Sequence, residues 1–365
     1  MQKPSIWHRC GWKFCVAAVG ALIAAGMAYK PANAETFTLR VGSGHPPVLP
    51  YVALLKNYFV PEVKRRVAAE TGNKIKFIEA YGGSVAKLTE VLHAVESGLL
   101  DIGAMSTVFE PRNLYLQNYS YYVPFGIKDP VKAGQVARQL YDEFPALKKT
   151  IEDQGQHLLA VLAASDYQII SRKKFTTLAE LKGLKMLAAG ANADWLTGTG
   201  AVTVQGGLPE AYNSIQSGVV DGELIHYQGM YGFKLYEVAK YIEVMDFGVS
   251  TSNLLTINTK RWQSLPANIR KIITEVSHVY EKKVNEANAA RDKTAVGKMV
   301  KAGAQVVDIS PNVRKQWAQL LSGVPEKFAN QGKSLGLPQM RPILKRYIEI
   351  LKSSGNQIVD VYKLD

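Results

Sequence analysis

A seven-residue pattern that occurs twice constrains the fold of this 365-residue chain more than any other feature. Residues 95–101 read Val-Glu-Ser-Gly-Leu-Leu-Asp, and residues 215–221 read Ile-Gln-Ser-Gly-Val-Val-Asp. Each copy follows an amphipathic segment, carries a glycine that can end a helix, and enters an apolar run typical of a buried strand. One such junction could match another by chance. Similar residues at every position instead favour two related α/β domains that face each other across a cleft.

The aspartates that end the two copies, Asp101 and Asp221, could suggest a pair of catalytic carboxylates. Their matching positions after a helix-ending glycine favour a repeated structural role, such as accepting hydrogen bonds from turn amides. The chain contains no Gly-x-Ser-x-Gly motif, no phosphate-binding Gly-Lys-Ser/Thr loop and no His-Glu-x-x-His. The histidines after residue 34 lack metal-ligand spacing. We therefore expect no catalytic residues, no metal and no cofactor.

The first 34 residues have the three parts of a secretory signal peptide. Lys3, Arg9 and Lys13 form a basic start, residues 14–27 are an apolar run, and Ala32-Asn-Ala34 is a small-x-small cleavage site. A membrane anchor would need about 20 apolar residues. Both cysteines of the chain lie within this segment, so the exported form would contain none. We expect cleavage after Ala34 and a periplasmic protein.

The chain carries a formal net charge of +13, which could indicate binding to nucleic acid or to an anionic membrane. The lysines are scattered along the sequence rather than clustered, and an exported protein does not meet nucleic acid. We interpret the basic residues as a solvated surface and expect no nucleic-acid partner.

The order of the predicted elements supports an α/β fold. A strand at residues 37–41, a helix at 51–70, a strand at 74–78, a helix capped by Ser84 and a strand at 99–105 alternate, which predicts parallel pairing. Crossings between the two domains are expected near Ser165 and Thr251. A long amphipathic helix is predicted from Pro266 to about Lys301, and it would form a spine across both domains.

Several stretches together resemble the solute receptors of TRAP-type (tripartite, ATP-independent) transporters. No single stretch is diagnostic, but their order and spacing are specific, and the likeness extends from about Phe37 to beyond Lys271. The stretches are residues 81–84 with 96–101, residues 124–125, residues 178–185, and residues 210–222 with 234–241.

The resemblance implies an α/β, two-domain periplasmic-binding-protein fold with a ligand cleft between the domains and a long helix spanning both. We place the signal peptide at residues 1–34. Domain I then comprises residues 35–165 and 251–290, and domain II comprises residues 166–250 and 291–365.

The chain departs from the family pattern where ligands are held. Leu187 stands where the resemblance implies an arginine that grips a carboxylate, and Tyr167 where a second arginine often lies. Ile225, Phe247 and Met105 stand at positions that are commonly polar in the family. Because a buried carboxylate needs charge-assisted partners, we expect a neutral or largely apolar ligand, aromatic compounds included. An organic acid held by a relocated cation remains the alternative.

Two cations could supply that relocated charge, Arg172 and Lys185, although both are more typical of surface residues. A third interpretation is an amine ligand, held by Asp166, Asp194 or Glu223, with an aromatic ring as a π face. For these acids we favour capping and surface solvation, and Asn192 and Asp194 could both cap a helix that starts after Gly190. The residues expected to contact ligand are His45, Met105, Ser106, Tyr167, Gln168, Leu187, Asn192, Asp194, Trp195, Leu208, Ile225, His226 and Phe247.

The resemblance implies an extracytoplasmic receptor that captures a small molecule and delivers it to the membrane subunits of a TRAP transporter, without catalysis. We expect it to act as a monomer. A sensor that passes its ligand-bound state to a membrane signalling partner is the second interpretation. An enzyme on the same scaffold would need a nucleophile or an acid–base pair that the sequence does not suggest.

Overall fold

The computed structural model describes residues 34–364, so the predicted signal sequence lies outside the described residues except for Ala34. Two mixed sheets and their flanking helices make up residues 35–364. The strands are β1 (Thr36–Ser43), β2 (Lys74–Ala80), β3 (Ile102–Ser106), β4 (Gln156–Leu162), β5 (Tyr167–Ser171), β6 (Lys185–Ala188), β7 (Val202–Gln205), β8 (Gly222–His226), β9 (Tyr241–Val244), β10 (Asn253–Asn258) and β11 (Gln305–Asp308).

Twelve α-helices occur within the described range, together with short 3₁₀ turns. None of them is both long enough and apolar enough to cross a membrane. The helices are α1 (Pro50–Leu54), α2 (Val60–Thr71), α3 (Val91–Glu96), α4 (Pro130–Glu143), α5 (Pro145–Glu152), α6 (Leu208–Gln216), α7 (Tyr227–Gly232), α8 (Thr259–Ser264), α9 (Ala267–Lys301), α10 (Pro311–Leu320), α11 (Val324–Ser334) and α12 (Met340–Ser353).

The two sheets define two lobes that exchange strands. The sheet of the first lobe has the order β2-β1-β3-β10-β4, and that of the second has the order β11-β9-β5-β8-β6-β7. Most neighbours are parallel, as predicted, but β10 is antiparallel to β3 and β4, and β5 is antiparallel to β8 and β9. Strands β4 and β5 follow each other without a helix, so the alternation of helices and strands does not reveal this reversal.

The chain crosses between the lobes at two adjacent segments. Asp166 and Val249 form an antiparallel bridge. The amide of Ala164 donates to the Ser250 carbonyl at 2.8 Å. These segments join β4 to β5 and β9 to β10, and they include the residues near which the sequence predicts crossings, Ser165 and Thr251. Two short, paired connections of this kind can act as a hinge.

Helix α9, predicted from its long apolar stripe, is 35 residues long and contacts both lobes. Its first half packs against α2, α4 and β4, and it also contacts α7 of the second lobe. Glu281 and Asn285 accept hydrogen bonds from the backbone of β4 and the residue just after it. Asp292 accepts from Ser165 in the crossing segment and from Gln228 in α7. The helix therefore holds the hinge from one side.

The two copies of the sequence repeat have the same local structure. In both copies the glycine has a positive φ, 76° and 78°, which ends the helix. Asp101 Oδ2 accepts from the amide of Arg40 in β1 at 2.6 Å, and Asp221 Oδ2 accepts from the amide of Lys185 in β6 at 3.0 Å. The amide of each aspartate donates back to the carbonyl of the same partner. The predicted structural role of both aspartates is confirmed, although the amides that they bond belong to strands rather than to turns.

One local prediction was wrong, and a second was right except for an irregular turn inside the helix. Ser84 caps no helix, because residues 81–90 form turns and α3 begins only at Val91, with Glu90 before it. The helix predicted at residues 51–70 is interrupted by a π-helical turn at Leu55–Phe59. Pro61 follows this turn and lacks the amide hydrogen that an uninterrupted α-helix would use.

Candidate ligand-binding site

A cavity lies between the two lobes, at the ends of strands from both sheets. His45 follows β1, Ser106 ends β3 and His226 ends β8, so three strands deliver side chains to one place. Such strand ends are where ligands bind in open α/β sheets. The cavity volume is about 40 Å³, room for a few water molecules. The lining residues are His45, Leu49, Pro50, Tyr51, Ser106, Val108, Phe109, Tyr121, Ala164, Ser165, Tyr167, Ala189, Gly207, Leu208, Glu223, Ile225, His226, Gln228, Ser250, Asn253 and Asn288.

Six of the thirteen residues expected to contact ligand line this cavity. They are His45, Ser106, Tyr167, Leu208, Ile225 and His226.

The other seven lie outside the lining, and four of them have other partners. Gln168 bonds Asp166 and accepts from the amides of residues 245 and 246. The indole of Trp195 donates to the Tyr121 carbonyl at 2.7 Å, and its ring packs against Phe247. Asp194 forms an ion pair with Lys327 at 2.8 Å.

The remaining three, Met105, Leu187 and Asn192, are buried but do not line the cavity. Neither amide atom of Asn192 has a hydrogen-bond partner within the described residues. Asn192 and Asp194 lie inside a 3₁₀ segment, Gly190–Leu196, and make no side-chain cap, so the alternative that they cap a helix is wrong.

The two cavity histidines are held neutral by burial. His45 Nδ1 lies 2.7 Å from the hydroxyl of Tyr51. His226 Nδ1 accepts from the amide of Gly229 at 3.0 Å, so the proton of the neutral ring is on Nε2. Burial lowers the pKa of His45 to about 3, with the nearby His226 as a smaller cause. Burial also lowers the pKa of His226 to about 4. Neither ring supplies a positive charge at neutral pH.

A cluster of hydroxyl groups forms another part of the wall. The hydroxyls of Tyr121 and Tyr167 are 3.0 Å apart, and Ser252 donates to Tyr121 at 3.1 Å. The ring of Tyr167 contacts that of His226 edge to face. Burial raises the pKa of Tyr167 well above its ordinary value, so its hydroxyl stays protonated. The cluster supplies neutral hydrogen-bonding groups on aromatic surfaces.

Among the described residues, Glu223 is the one acidic residue in the lining. It lies in β8, is 2% exposed, and its Oε2 has no hydrogen-bond partner within the described residues. Burial raises the pKa of Glu223 well above its ordinary value, and the charge of Glu210 adds to the shift. The sequence-based preference for capping or surface solvation is therefore wrong for Glu223. For Asp194, the surface interpretation is right, because its partner is the exposed Lys327.

Two amide side chains present oxygens to the same cavity. Gln228 directs its nitrogen at Asp292 and at the Asn288 carbonyl, both of which can only accept. Asn288 directs its nitrogen at the Ala163 carbonyl at 2.8 Å. These partners fix the orientation of both amides. Gln228 Oε1 and Asn288 Oδ1 are buried and have no donor within residues 34–364.

No lysine or arginine lines this cavity among the described residues. The two cations considered for relocation are both exposed on the surface. Arg172 reaches the Ile215 carbonyl at 3.4 Å. The amide of Lys185 bonds Asp221, and its side chain is solvent-facing. Neither side chain therefore places a positive charge in the cavity.

Sequence reasoning missed several lining residues, namely Tyr51, Tyr121, Gln228, Ser250 and Asn288. A signal existed for Asn288. Glu281, Asn285, Asn288 and Asp292 follow each other at spacings of four, three and four, so they share one face of the otherwise apolar-striped α9. No comparable pattern marks Tyr121, which lies in a turn, or Ser250, which lies in the segment between β9 and β10.

Two α/β lobes, two short crossings and a lined cavity between them define a bilobed solute-binding protein. The family model for bacterial extracellular solute-binding protein, family 7, matches residues 56–331. The chain belongs to this family.

Relatives and solved structures agree with that assignment. The C4-dicarboxylate-binding periplasmic protein DctP of Vibrio cholerae is 29% identical over 170 residues, which are 44% of this chain and 49% of that protein. The matches to the first curated relatives thus span only about half of their length.

Among solved structures, a TRAP periplasmic solute-binding protein from Sulfitobacter sp. NAS-14.1 with bound β-D-galacturonate has a TM-score of 0.72 at 19% identity, covering 85% of this chain and 99% of that one. A Shewanella oneidensis TRAP protein with bound succinate has a TM-score of 0.70 at 20% identity, with the same coverage. At this identity the structures establish the fold alone, and the predicted two-sheet fold with a long helix is confirmed.

Proposed function

We propose that this protein is an extracytoplasmic receptor that captures a small solute without net negative charge and delivers it to the membrane subunits of a TRAP transporter. Membership in the solute-binding family supports the receptor role, and that family and fold belong to binding proteins rather than enzymes. The predicted signal sequence supports a periplasmic location. The solute preference rests on one observation, the absence of lysine and arginine from the cavity lining within the described residues.

The charges of the lining residues disfavour binding of an organic acid. A carboxylate enclosed here would meet neutral His45 and His226 and the acidic Glu223, with no guanidinium to pair with. Burying an unpaired charge costs several kcal/mol, whereas micromolar affinity corresponds to about 8 kcal/mol in total. Leu187 in place of an arginine fits the same interpretation. Because polar groups make up much of the wall, the expected ligand is uncharged or cationic and polar, rather than largely apolar.

Binding would require the lobes to open and close. The small cavity volume fits a conformation in which the lobes are in contact, so a solute must enter by separating them. The paired crossing segments and the contact of Asp292 with Ser165 and Gln228 form the hinge about which this motion would occur. The ligand-enclosing form would then be the one that the membrane subunits recognise.

Thermal unfolding with acids bound by related structures tests the proposal. Succinate, galacturonate and pyroglutamate are named as ligands of TRAP proteins that share this fold. We expect each of them, at millimolar concentration, to leave the melting temperature of this protein unchanged. A concentration-dependent rise of several degrees with any of them would overturn the non-anionic preference.

A further inference from the structure

Five buried polar side-chain atoms of the cavity lining lack a hydrogen-bond partner within residues 34–364. Two of them, Ser250 Oγ and His45 Nε2, can themselves donate a hydrogen bond, and the other three are oxygens of amide and carboxyl groups. These three oxygens are Glu223 Oε2, Gln228 Oε1 and Asn288 Oδ1, and all three residues line the same cavity. Buried polar atoms are almost always hydrogen-bonded in native proteins, and an unsatisfied one is costly. A group of three at one place therefore indicates a ligand that supplies donors.

The orientation of these groups is fixed by the rest of the molecule. Gln228 is held by Asp292 and Asn288 by the Ala163 carbonyl, both through their nitrogens, so neither amide can turn to offer a donor instead. Helix α9 carries Asn288 and Asp292, and strand β8 carries Glu223. The acceptors thus sit on rigid elements of the scaffold, which is typical of a preorganised binding site.

The charges around the cavity favour a cation over a neutral donor. Glu223 is the acid in the lining, Glu210 lies near enough to influence it, and no lysine or arginine of the described chain lines the cavity. The rings of Tyr167 and Tyr121 also line it, and aromatic faces attract cations. An ammonium group has three donors and no acceptor, which matches three oxygens without donors.

We propose that the cavity binds its solute through a protonated amino group, held by the carboxylate of Glu223 and the side-chain oxygens of Gln228 and Asn288. This inference rests on the proposed receptor function and specifies its substrate class as small amines. The protonated amine would complete the hydrogen bonding of the cavity, and its positive charge would stabilise the ionised form of Glu223 against the effect of burial.

Calorimetric titration with matched probes tests this assignment. The probes are small primary amines, including putrescine and benzylamine, with their alcohol analogues 1,4-butanediol and benzyl alcohol, and succinate as the matched acid. We expect at least one amine to bind wild-type protein at least about tenfold more tightly than its alcohol, because a charge-assisted hydrogen bond to a carboxylate is stronger than a neutral one. Failure of every amine to bind, or equal binding of amine and alcohol, overturns the amine assignment.

Glu223→Gln and Glu243→Gln form a matched pair of variants. Both replace a buried carboxyl in the second lobe, but Glu243 lies in β9, outside the cavity lining, and bonds Ser171. We expect Glu223→Gln to weaken amine binding at least about tenfold and Glu243→Gln to leave it within about twofold. Equal effects of the two variants would overturn the role of Glu223.

A second variant keeps the test decisive if Glu223→Gln does not fold. Leu187→Arg keeps Glu223 but gives it an internal cation from the adjacent strand, so amine binding should be lost at least about tenfold. Retained amine binding in this variant would overturn the assignment. The amine assignment and the proposed function fail by different results. Failure of every amine to bind, or equal binding of amine and alcohol, overturns the amine assignment only. Tight binding of succinate contradicts the proposed receptor for solutes without net negative charge.

Discussion

Leu187 and Glu223 are paired in register on the neighbouring parallel strands β6 and β8. Paired residues of parallel strands point to the same face of a sheet. The apolar side chain of Leu187 therefore lies beside the carboxyl group of Glu223, and of the two only Glu223 lines the cavity. Leu187 stands where the resemblance to TRAP receptors implies an arginine, and Glu223, whose Oε2 has no partner within the described residues, lies next to it. In the proposed amine site, a carboxyl group therefore takes the role that a cation would have in a carboxylate receptor.

This relationship predicts the effect of Leu187→Arg, alone and in combination. The guanidinium would pair with Glu223 rather than remain uncompensated, so the single variant should gain little affinity for succinate. Leu187→Arg combined with Glu223→Gln frees the guanidinium, and we expect its succinate affinity to exceed that of the single variant by about tenfold or more. Titration calorimetry measures both. Equal succinate affinities would show that residue 187 cannot reach the bound solute.

Gly190 predicts how closely the lobes can approach each other. A Cβ added at Gly190 would lie 2.2 Å from the carbonyl oxygen of Val108, across the gap between the lobes. Gly190→Ala should hold the lobes apart, raise the radius of gyration in X-ray scattering and weaken binding of any enclosed ligand.

Gly72→Ala is the control for that experiment. Gly72 also has a positive φ, but an added Cβ there would meet nothing within 4 Å. It should cost about 1–2 kcal/mol of stability through backbone strain alone, without changing the radius of gyration. If the Gly190→Ala and Gly72→Ala variants have the same radius of gyration, the contact at Gly190 does not limit how closely the two lobes approach each other.

The repeated aspartates predict matched losses of stability. Asp101→Ala and Asp221→Ala each remove an acceptor for the amide of a neighbouring strand, at a cost of about 1–3 kcal/mol. The loss should be larger for Asp101, because its side chain is 10% exposed whereas that of Asp221 is 19% exposed. Asp101 also contacts two arginines, Arg40 and Arg261. Urea unfolding measures both variants. Asparagine at either position keeps an acceptor and should cost less, and an equal cost would argue against the hydrogen bond as the cause.

Buried Glu243 predicts part of the pH dependence of stability. Burial raises its pKa from 4.5 to about 8, so the folded state holds the proton more tightly than the unfolded state. The stability it contributes is fully present below about pH 4.5 and is lost as pH rises through about 8. Glu243→Gln should therefore flatten the decline of unfolding free energy between about pH 5 and pH 8, by up to about 1.4 kcal/mol per pH unit. An unchanged slope in urea unfolding across this range would contradict the assignment.

The cavity histidines act in the opposite direction. Their lowered pKa values, about 3 for His45 and about 4 for His226, mean that the unfolded state binds protons first. Their contribution is present above about pH 6.5 and is lost as pH falls towards these values. The Glu243→Gln variant should consequently still lose stability in acid, which serves as its internal control.

Features that depend on residues close together in the sequence could be predicted from sequence patterns. The repeat around Asp101 and Asp221 could be interpreted correctly because a helix-ending glycine and the aspartate after it act on nearby backbone. The length of α9 followed from its uninterrupted apolar stripe. The reversal of β5 and β10 was not predictable in this way, because strand direction depends on where the chain crosses between the lobes.

The cavity was predicted only in part, for a physical reason. His45, Ser106 and His226 were found because they follow predicted strands, and strand ends converge in α/β folds. Glu223 was judged a surface acid because sequence alone gives the residue type but not its burial. Gln228 was missed because its role depends on Asp292, 64 positions later, which fixes its amide.

The molecule that the purified protein retains is the most direct evidence on what the cavity binds. Native mass spectrometry of the protein purified from the periplasm, before and after denaturation, gives the mass of any bound compound, and fragmentation of the released compound gives its structure. We expect the released compound to be a small solute that carries a basic nitrogen and no net negative charge. A dicarboxylate or a sugar acid released from the cavity would contradict this expectation.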